Sequence, residues 1–281
     1  MKILLIGSEG YVGSFLWSKF DASENELHAL DIKIPVNEKK NFIHTSYQDV
    51  DINLLSKFDV VLFFAGVSSV KQANENVTVA VEQNMLDMWG FALRCAKAKT
   101  RLIYASSGSV YADSTGNLLF TASEMTYNAY DASKLAFDLI SHYANPSALG
   151  LRMGTVSGWS PQLRRELIFN AMCISAIEQK KIFVSNPHNY RSILFLDDLY
   201  AILQRVLASS GCKGQIPCSS YAGTIGQVAS AIGAYFSADI ELLEGSSTYS
   251  FALKKSPFDT LLPPSIEQEC AKFKKSMEVS K

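Results

Sequence analysis

The chain has 281 residues, and its 26 Lys plus Arg nearly balance 27 Asp plus Glu, so no strong field exists to draw nucleic acid or an anionic membrane surface. That length buries a large core and suits one α/β domain or a nucleotide-binding domain carrying a smaller lobe. Five scattered cysteines (Cys95, Cys173, Cys212, Cys218, Cys270) contain no CxxC pair, which argues against a disulfide framework or a zinc site and points to the reducing cytoplasm.

Residues 2–6 are a short apolar run closed by Gly7, the pattern of a parallel strand buried on both faces. The run is far shorter than a signal-peptide core, and no later stretch reaches the roughly 20 apolar residues of a membrane span. A helix is expected from Tyr11, and further strands at 27–32, 59–65, 101–106 and 148–153. Val77, Val81, Met85, Met88, Ala92 and Cys95 recur at helical spacing and predict one long helix over 74–98. Another helix is expected over 128–143. Strands alternating with crossover helices imply a parallel, doubly wound Rossmann-type sheet over residues 1–155. Beyond it, helices are expected over 162–178, 197–208, 224–236 and 265–277. Residues 156–281 read as a smaller mixed α/β lobe, with 191–209 returning to pack on the first domain.

Gly7-Ser8-Glu9-Gly10-Tyr11-Val12-Gly13 places glycines at the strand end, in the turn and in the first helical turn. The first permits a tight turn, the second lets backbone N–H groups approach a pyrophosphate, and the third lets helix and sheet pack closely. The helix N-terminus attracts the anion. Asp31 follows Gly13 by eighteen residues, where a carboxylate hydrogen-bonds the adenosine ribose and repels a 2′-phosphate. NAD is favoured over NADP, and Lys33 softens that preference.

Tyr130-Asp131-Ala132-Ser133-Lys134 sets a phenol and an ammonium four residues apart, on one helix face. A tyrosine titrating near 10 is a poor base at neutral pH, but a lysine charge beside it stabilises the phenolate. Ser107, in Ser106-Ser107-Gly108-Ser109-Val110-Tyr111, follows the fourth strand at the carboxyl edge of the sheet, where its hydroxyl can meet a substrate oxygen.

GSEGYVG, Asp31, FFAG, the helix of Asn84, YASSGSVY, YDASK, LRMGTVSG and RSILFLDDL, in that order over nearly the whole chain, resemble the NAD-dependent nucleotide-sugar epimerase/dehydratase branch of the extended short-chain dehydrogenases. The resemblance implies Tyr130 as acid/base, Lys134 as its electrostatic partner and ribose anchor, and Ser107 as an orienting hydroxyl. It implies that Gly7, Gly10, Tyr11, Val12 and Gly13 cradle the pyrophosphate, Asp31 and Ile32 hold the adenosine with Ser46 and Tyr47 near the adenine, and Ala65, Gly66, Ala105 and Met153 complete the cofactor site. Ser68, Ser107, Thr155 and Arg191 would meet the substrate, Arg191 gripping its diphosphate with a charged, forked donor set. Asn84 is read as a structural brace.

Two departures narrow the reaction. Sugar-nucleotide 4,6-dehydratases carry an Asp-Glu pair directly after the catalytic hydroxyl residue, where this chain has Gly108 and Ser109; Thr155 stands where many UDP-sugar epimerases place asparagine. The leading expectation is an NAD-dependent nucleotide-sugar epimerase acting as a homodimer. A one-way dehydrogenase or keto-sugar reductase would use the same residues, and a non-catalytic NAD-sensing protein is the alternative of another class. No metal is expected: His28, His44, His142 and His188 lack ligand spacing, and no GxSxG elbow, P-loop or HExxH occurs.

Overall fold

The apolar run at the start of the chain forms β1 (Lys2–Ile6), in which Ile3, Leu4 and Leu5 are wholly buried, as a strand covered on both faces requires. The computed structural model describes residues 1–112, 128–244, 250–253, 258 and 265–279. Among them the further strands are β2 (Glu26–Asp31), β3 (Phe42–His44), β4 (Val60–Phe63), β5 (Arg101–Ser107), β6 (Leu149–Met153), β7 (Thr155–Ser157), β8 (Lys181–Val184), β9 (Tyr190–Phe195), β10 (Gly214–Cys218), β11 (Tyr221–Thr224) and β12 (Asp239–Leu242). The helices are α1 (Tyr11–Phe20), α2 (Ile52–Leu55), α3 (Val70–Glu75), α4 (Val77–Val81), α5 (Asp87–Ala98), α6 (Ala129–Ala144), α7 (Ile168–Gln179), α8 (Leu196–Ala208), α9 (Ile225–Phe236) and α10 (Ile266–Val279).

Seven parallel strands form the central sheet in the order β10-β6-β5-β4-β1-β2-β3. The order reverses between β1 and β4, and a crevice opens at such a switch point beyond the carboxyl ends of the strands. Alternate residues of each strand feed opposite faces. Ile3, Leu5, Val60 and Leu62 meet Phe15, Leu16 and Phe20 of α1 and Leu199, Ile202 and Leu203 of α8. Leu4, Ile6, Val61 and Phe63 meet Met88, Phe91 and Cys95 of α5 and Phe137 of α6. A third core joins α7, α9 and α10 to β8 and β9 through Phe169, Ile193, Phe195, Val228 and Phe273. The lobe adds a β11-β9-β7 sheet and a β12-β8 pair.

The single helix expected over 74–98 is broken. Asn76 leaves helical geometry (φ −144°, ψ 83°), and its side chain accepts the Val79 N–H at 3.1 Å, so α3 ends there and α4 starts afresh. A π-helical turn at Glu82–Leu86 then offsets the register. Val77, the first of the apolar positions at helical spacing, is half exposed, whereas Met88, Ala92 and Cys95 are buried. The helix expected from 162 starts at Ile168, because the preceding loop folds over α1: Asn170 donates to the Arg164 carbonyl at 3.0 Å and accepts the Gly158 N–H at 2.9 Å. β3 and β10 extend the sheet at its two edges and were not anticipated.

Candidate active site

The glycine loop closes as its spacing demands. Gly7 adopts a positive φ of 84°, and its carbonyl accepts the Gly10 N–H at 3.1 Å. A Cβ on Gly13 would lie 1.9 Å from the Gly7 carbonyl oxygen, so only glycine lets α1 approach β1 this closely. Gly10 caps α1 without any side-chain hydrogen bond, which leaves the first-turn N–H groups for an anion. They face a cavity of about 580 Å³ at the switch point, lined by Gly7, Gly10, Tyr11 and Val12, by Asp31 and Ile32, by Ser46 and Tyr47, and by Ala65, Gly66 and Ser68.

Asp31 is held by two backbone donors, Glu9 N–H to Oδ2 and Lys33 N–H to Oδ1, each at 2.9 Å. This fixes a carboxylate at the cavity edge beside Ile32, which is 67% exposed and free to pack on an adenine. Ser46 caps the short helical turn of Tyr47–Asp49, accepting the Gln48 N–H at 3.2 Å. The Tyr47 hydroxyl donates to Asp87 at 3.0 Å, so its ring serves as wall. The Tyr11 hydroxyl donates to the Gly158 carbonyl at 2.7 Å and accepts from Asn170 at 3.1 Å; it fastens the lobe to α1, and burial raises its pKa well above the usual range.

Ser107 ends β5, one strand over from the cavity, since β5 pairs with β4. Tyr130 occupies the first turn of α6, whose start Asn128 caps by accepting the Asp131 N–H at 3.0 Å. Lys134 lies one turn on, its Nζ 6.0 Å from the centre of the Tyr130 ring and donating to the Ala105 carbonyl at 3.2 Å. Burial pushes the Lys134 ammonium down to about 8, against the opposing pull of Asp138. Ser107 and α6 are joined by hydroxyls: Ser107 Oγ and Ser109 Oγ are 2.6 Å apart, and Ser109 in turn hydrogen-bonds Asp131. Asn84 donates to Ser133 Oγ and to the Val67 carbonyl, both at 3.0 Å, and so ties α6 to the loop after β4.

Met153 pairs with Ser107 across β5 and β6, and Thr155 pairs with Ile193 across β7 and β9. Arg191 is buried on β9; its Nη1 donates to the Tyr190 carbonyl at 3.0 Å and its guanidinium lies 5.6 Å from the Phe251 ring centre. None of Ala105, Ser107, Tyr130, Lys134, Met153, Thr155 and Arg191 lines the cavity that Gly7 and Asp31 share. Sequence reasoning missed several groups that do line it or clamp it. Glu9 forms a buried ion pair with Lys39, whose Nζ also sits 5.2 Å from the Trp17 ring centre. Arg164 Nη1 reaches across to the Ser68 carbonyl at 3.1 Å. Only Glu9, inside the glycine motif, carried a sequence signal.

A dinucleotide cradle at the switch point, beside a Tyr/Lys helix and a strand-end serine, defines an enzyme of the extended short-chain dehydrogenase/reductase type. The chain belongs to the NAD dependent epimerase/dehydratase family, whose model matches residues 3–216. It is 26% identical over 234 residues to Protein CapI of Staphylococcus aureus, spanning 74% of this chain and 69% of that one. The fold matches a UDP-glucuronic acid 4-epimerase from Bacillus cereus in complex with UDP-glucuronic acid and NAD, with a TM-score of 0.81, 18% identity and full coverage of both chains. It also matches TunA, an NAD dependent NDP-hexosamine 5,6-dehydratase, with a TM-score of 0.84, 16% identity and 99% and 98% coverage. Gly13, the uncapped α1 start and the fixed Asp31 fit NAD, the family's cofactor.

The lowered Lys134 value has a thermodynamic consequence. Between about 8 and the ordinary value of 10.5 the unfolded chain binds more protons at this group than the folded chain, so stability rises with pH in that window and the buried charge is a burden below it. Lys134→Met is expected to raise the urea midpoint of the ligand-free protein at pH 7, to lose that advantage by pH 10.5, and to abolish turnover; urea titrations at both pH values check this.

Proposed function

We propose that this protein is an NAD-dependent nucleotide-sugar epimerase in which Tyr130 is the acid/base. The observation that carries the reading is Lys134, held inside the protein on the Ala105 carbonyl with Tyr130 one helical turn before it. A lysine charge in low dielectric stabilises the phenolate, which makes Tyr130 a base for a sugar hydroxyl proton. Ser107 orients the same oxygen. Bound NAD supplies a reversible hydride acceptor, so that a keto sugar can be formed and then reduced on its other face. Ser68, Thr155 and Arg191 meet the sugar nucleotide beside the lobe built of α7, α9 and α10 with β8 and β9.

The surroundings of Gly108 support epimerase over 4,6-dehydratase. A Cβ at this position would lie 2.8 Å from Leu253 Cδ1 and 2.9 Å from the Met153 carbonyl oxygen. The aspartate that such dehydratases place there has no room. A one-way dehydrogenase or reductase uses the same groups and differs in its demand for cofactor. Incubation with a panel of nucleotide sugars is expected to give epimer with catalytic NAD, and a stoichiometric requirement for NAD or NADH overturns the epimerase reading. Tyr130→Phe is expected to lower turnover by about 10²-fold or more, the usual worth of a general acid/base, while NAD binding measured by calorimetry stays within about twofold.

The protein acts as a homodimer in the cytoplasm. Val77 of α4, Leu86 of the π turn, and Leu139 and Tyr143 of α6 are all more than half exposed on elements that pack side by side, an apolar face suited to a second copy. The five cysteines are free thiols, as a reducing compartment maintains them, and among the described residues no helix is long and apolar enough to cross a membrane. Leu139→Glu is expected to shift sedimentation from dimer to monomer mass; a wild type that already sediments as monomer contradicts the dimer.

A further inference from the structure

Behind Ser107 lies a polar chain that the proposed mechanism does not use. Ser107 Oγ is 2.6 Å from Ser109 Oγ, Ser109 Oγ hydrogen-bonds Asp131 Oδ1, and Asn128 Nδ2 donates to Asp131 Oδ2 at 2.7 Å. Ser107, Ser109 and Asp131 are 8%, 5% and 1% exposed, so bulk water does not compete for these bonds. Asp131 directly follows the catalytic tyrosine, yet its side chain points back to Ser109, two residues past the strand-end serine.

We propose that Asp131 is a positioning residue whose proton aims the Ser109 and Ser107 hydroxyls at the reacting sugar oxygen, which rests on the reading of Ser107 as the contact to that oxygen. Each serine hydroxyl has a single proton. When Asp131 carries a proton on Oδ1 it donates to Ser109, Ser109 donates to Ser107, and the Ser107 proton points outward to the sugar oxygen. Asp131 Oδ2 then accepts from Asn128, and every group is satisfied. When Asp131 is ionised, Ser109 must donate to it and Ser107 must donate to Ser109. Ser107 then presents only lone pairs and competes with Tyr130 for the sugar hydroxyl proton, while Tyr130 alone is left to polarise the keto oxygen. The two states differ by one proton on Asp131, taken from or returned to solvent, and no covalent bond to the sugar is made or broken by it.

The surroundings of Asp131 shift it toward the protonated form. Burial raises its pKa, with the Ser109 and Asn128 hydrogen bonds opposing. On α6 the nearest cation is Lys134, which is turned to the Ala105 carbonyl, while Asp138 is engaged by Tyr104, Ser106 and Arg152. From α3, Asn74 accepts the Ala129 N–H, and Lys71 pairs with Glu75 at the surface. From the π turn, Asn84 is bound to Ser133. Among the described residues no cation contacts Asp131.

The test has two arms on the NAD-loaded protein. In the first, carboxyl carbon NMR of aspartate-labelled protein follows Asp131, identified as the resonance missing from Asp131→Asn. It is expected to remain protonated above the range near 4 where surface aspartates ionise. Ser107→Ala is expected to shift its titration in wild type but not in a Ser109→Ala background. Ionisation with the surface aspartates, or indifference to Ser107→Ala, overturns the proposal. In the second arm, Asp131→Asn, whose amide N–H can donate where the acid proton did, is expected to turn over at least tenfold faster than Asp131→Ala and to lose the pH dependence assigned to Asp131. Equal losses in two folded variants overturn the proposal. A wild type inactive on every nucleotide sugar defeats the proposed function alone, and the NMR arm still decides the role of Asp131.

Discussion

Keeping the Lys134 ammonium inside the protein is the constraint on which the rest of the site depends. Desolvating a cation is costly, and the structure offsets the cost with a hydrogen bond to the Ala105 carbonyl and with Asp138 one turn further along α6. Asp138 is itself fixed by the Tyr104 hydroxyl at 2.9 Å and by Ser106 and Arg152, both at 2.8 Å. The carboxyl end of β5 and the first three turns of α6 are thereby locked together. The same closure fixes α6, which carries Tyr130, against the end of β5, which carries Ser107, one strand over from the dinucleotide crevice. A hydrophobic core could have joined the strand to the helix; this junction is polar instead and keeps the Lys134 ammonium buried one turn from Tyr130, the proposed base.

The crevice follows from the chain order of the strands. Because β1 and β4 are neighbours while their crossovers run to opposite sides, the loops after them diverge and leave room for an extended ligand. Gly7 shows how little room is left elsewhere: a Cβ there would meet the Phe64 and Ala65 backbone at 2.8 Å. The lobe is tied to this edge by side chains with a dual use. Tyr11 stands within the glycine motif yet holds Gly158 and Asn170, and Arg164 crosses to Ser68. These bonds join the lobe to the glycine loop and to the loop after β4.

Much of this was legible in the sequence where local pattern and tertiary role coincide. β1, α1, β5 and α6 combine strong periodicity with end signals, and Gly7, Gly10, Gly13, Asp31, Tyr130 and Lys134 belong to motifs whose spacing is set by one turn or one helix face. What failed to show was decided by partners far away in the chain. β10 is short, contains Pro217 and becomes a strand because β6 offers a free edge. The break at Asn76 and the late start of α7 are choices between a local cap and a longer helix that periodicity alone does not resolve. Asp131 sat in plain view inside YDASK, but its meaning comes from Ser109, 22 residues earlier, which only the folded chain brings to it.

The most direct test of the central claim is a crystal structure with NAD and a nucleotide sugar bound. The account places the Tyr130 hydroxyl and Ser107 Oγ within about 2.6–3.2 Å of one sugar hydroxyl, on the nicotinamide side of the crevice, with Lys134 on the adjoining ribose. A sugar whose nearest hydroxyl lies beyond reach of Tyr130, in an otherwise complete complex, would contradict it.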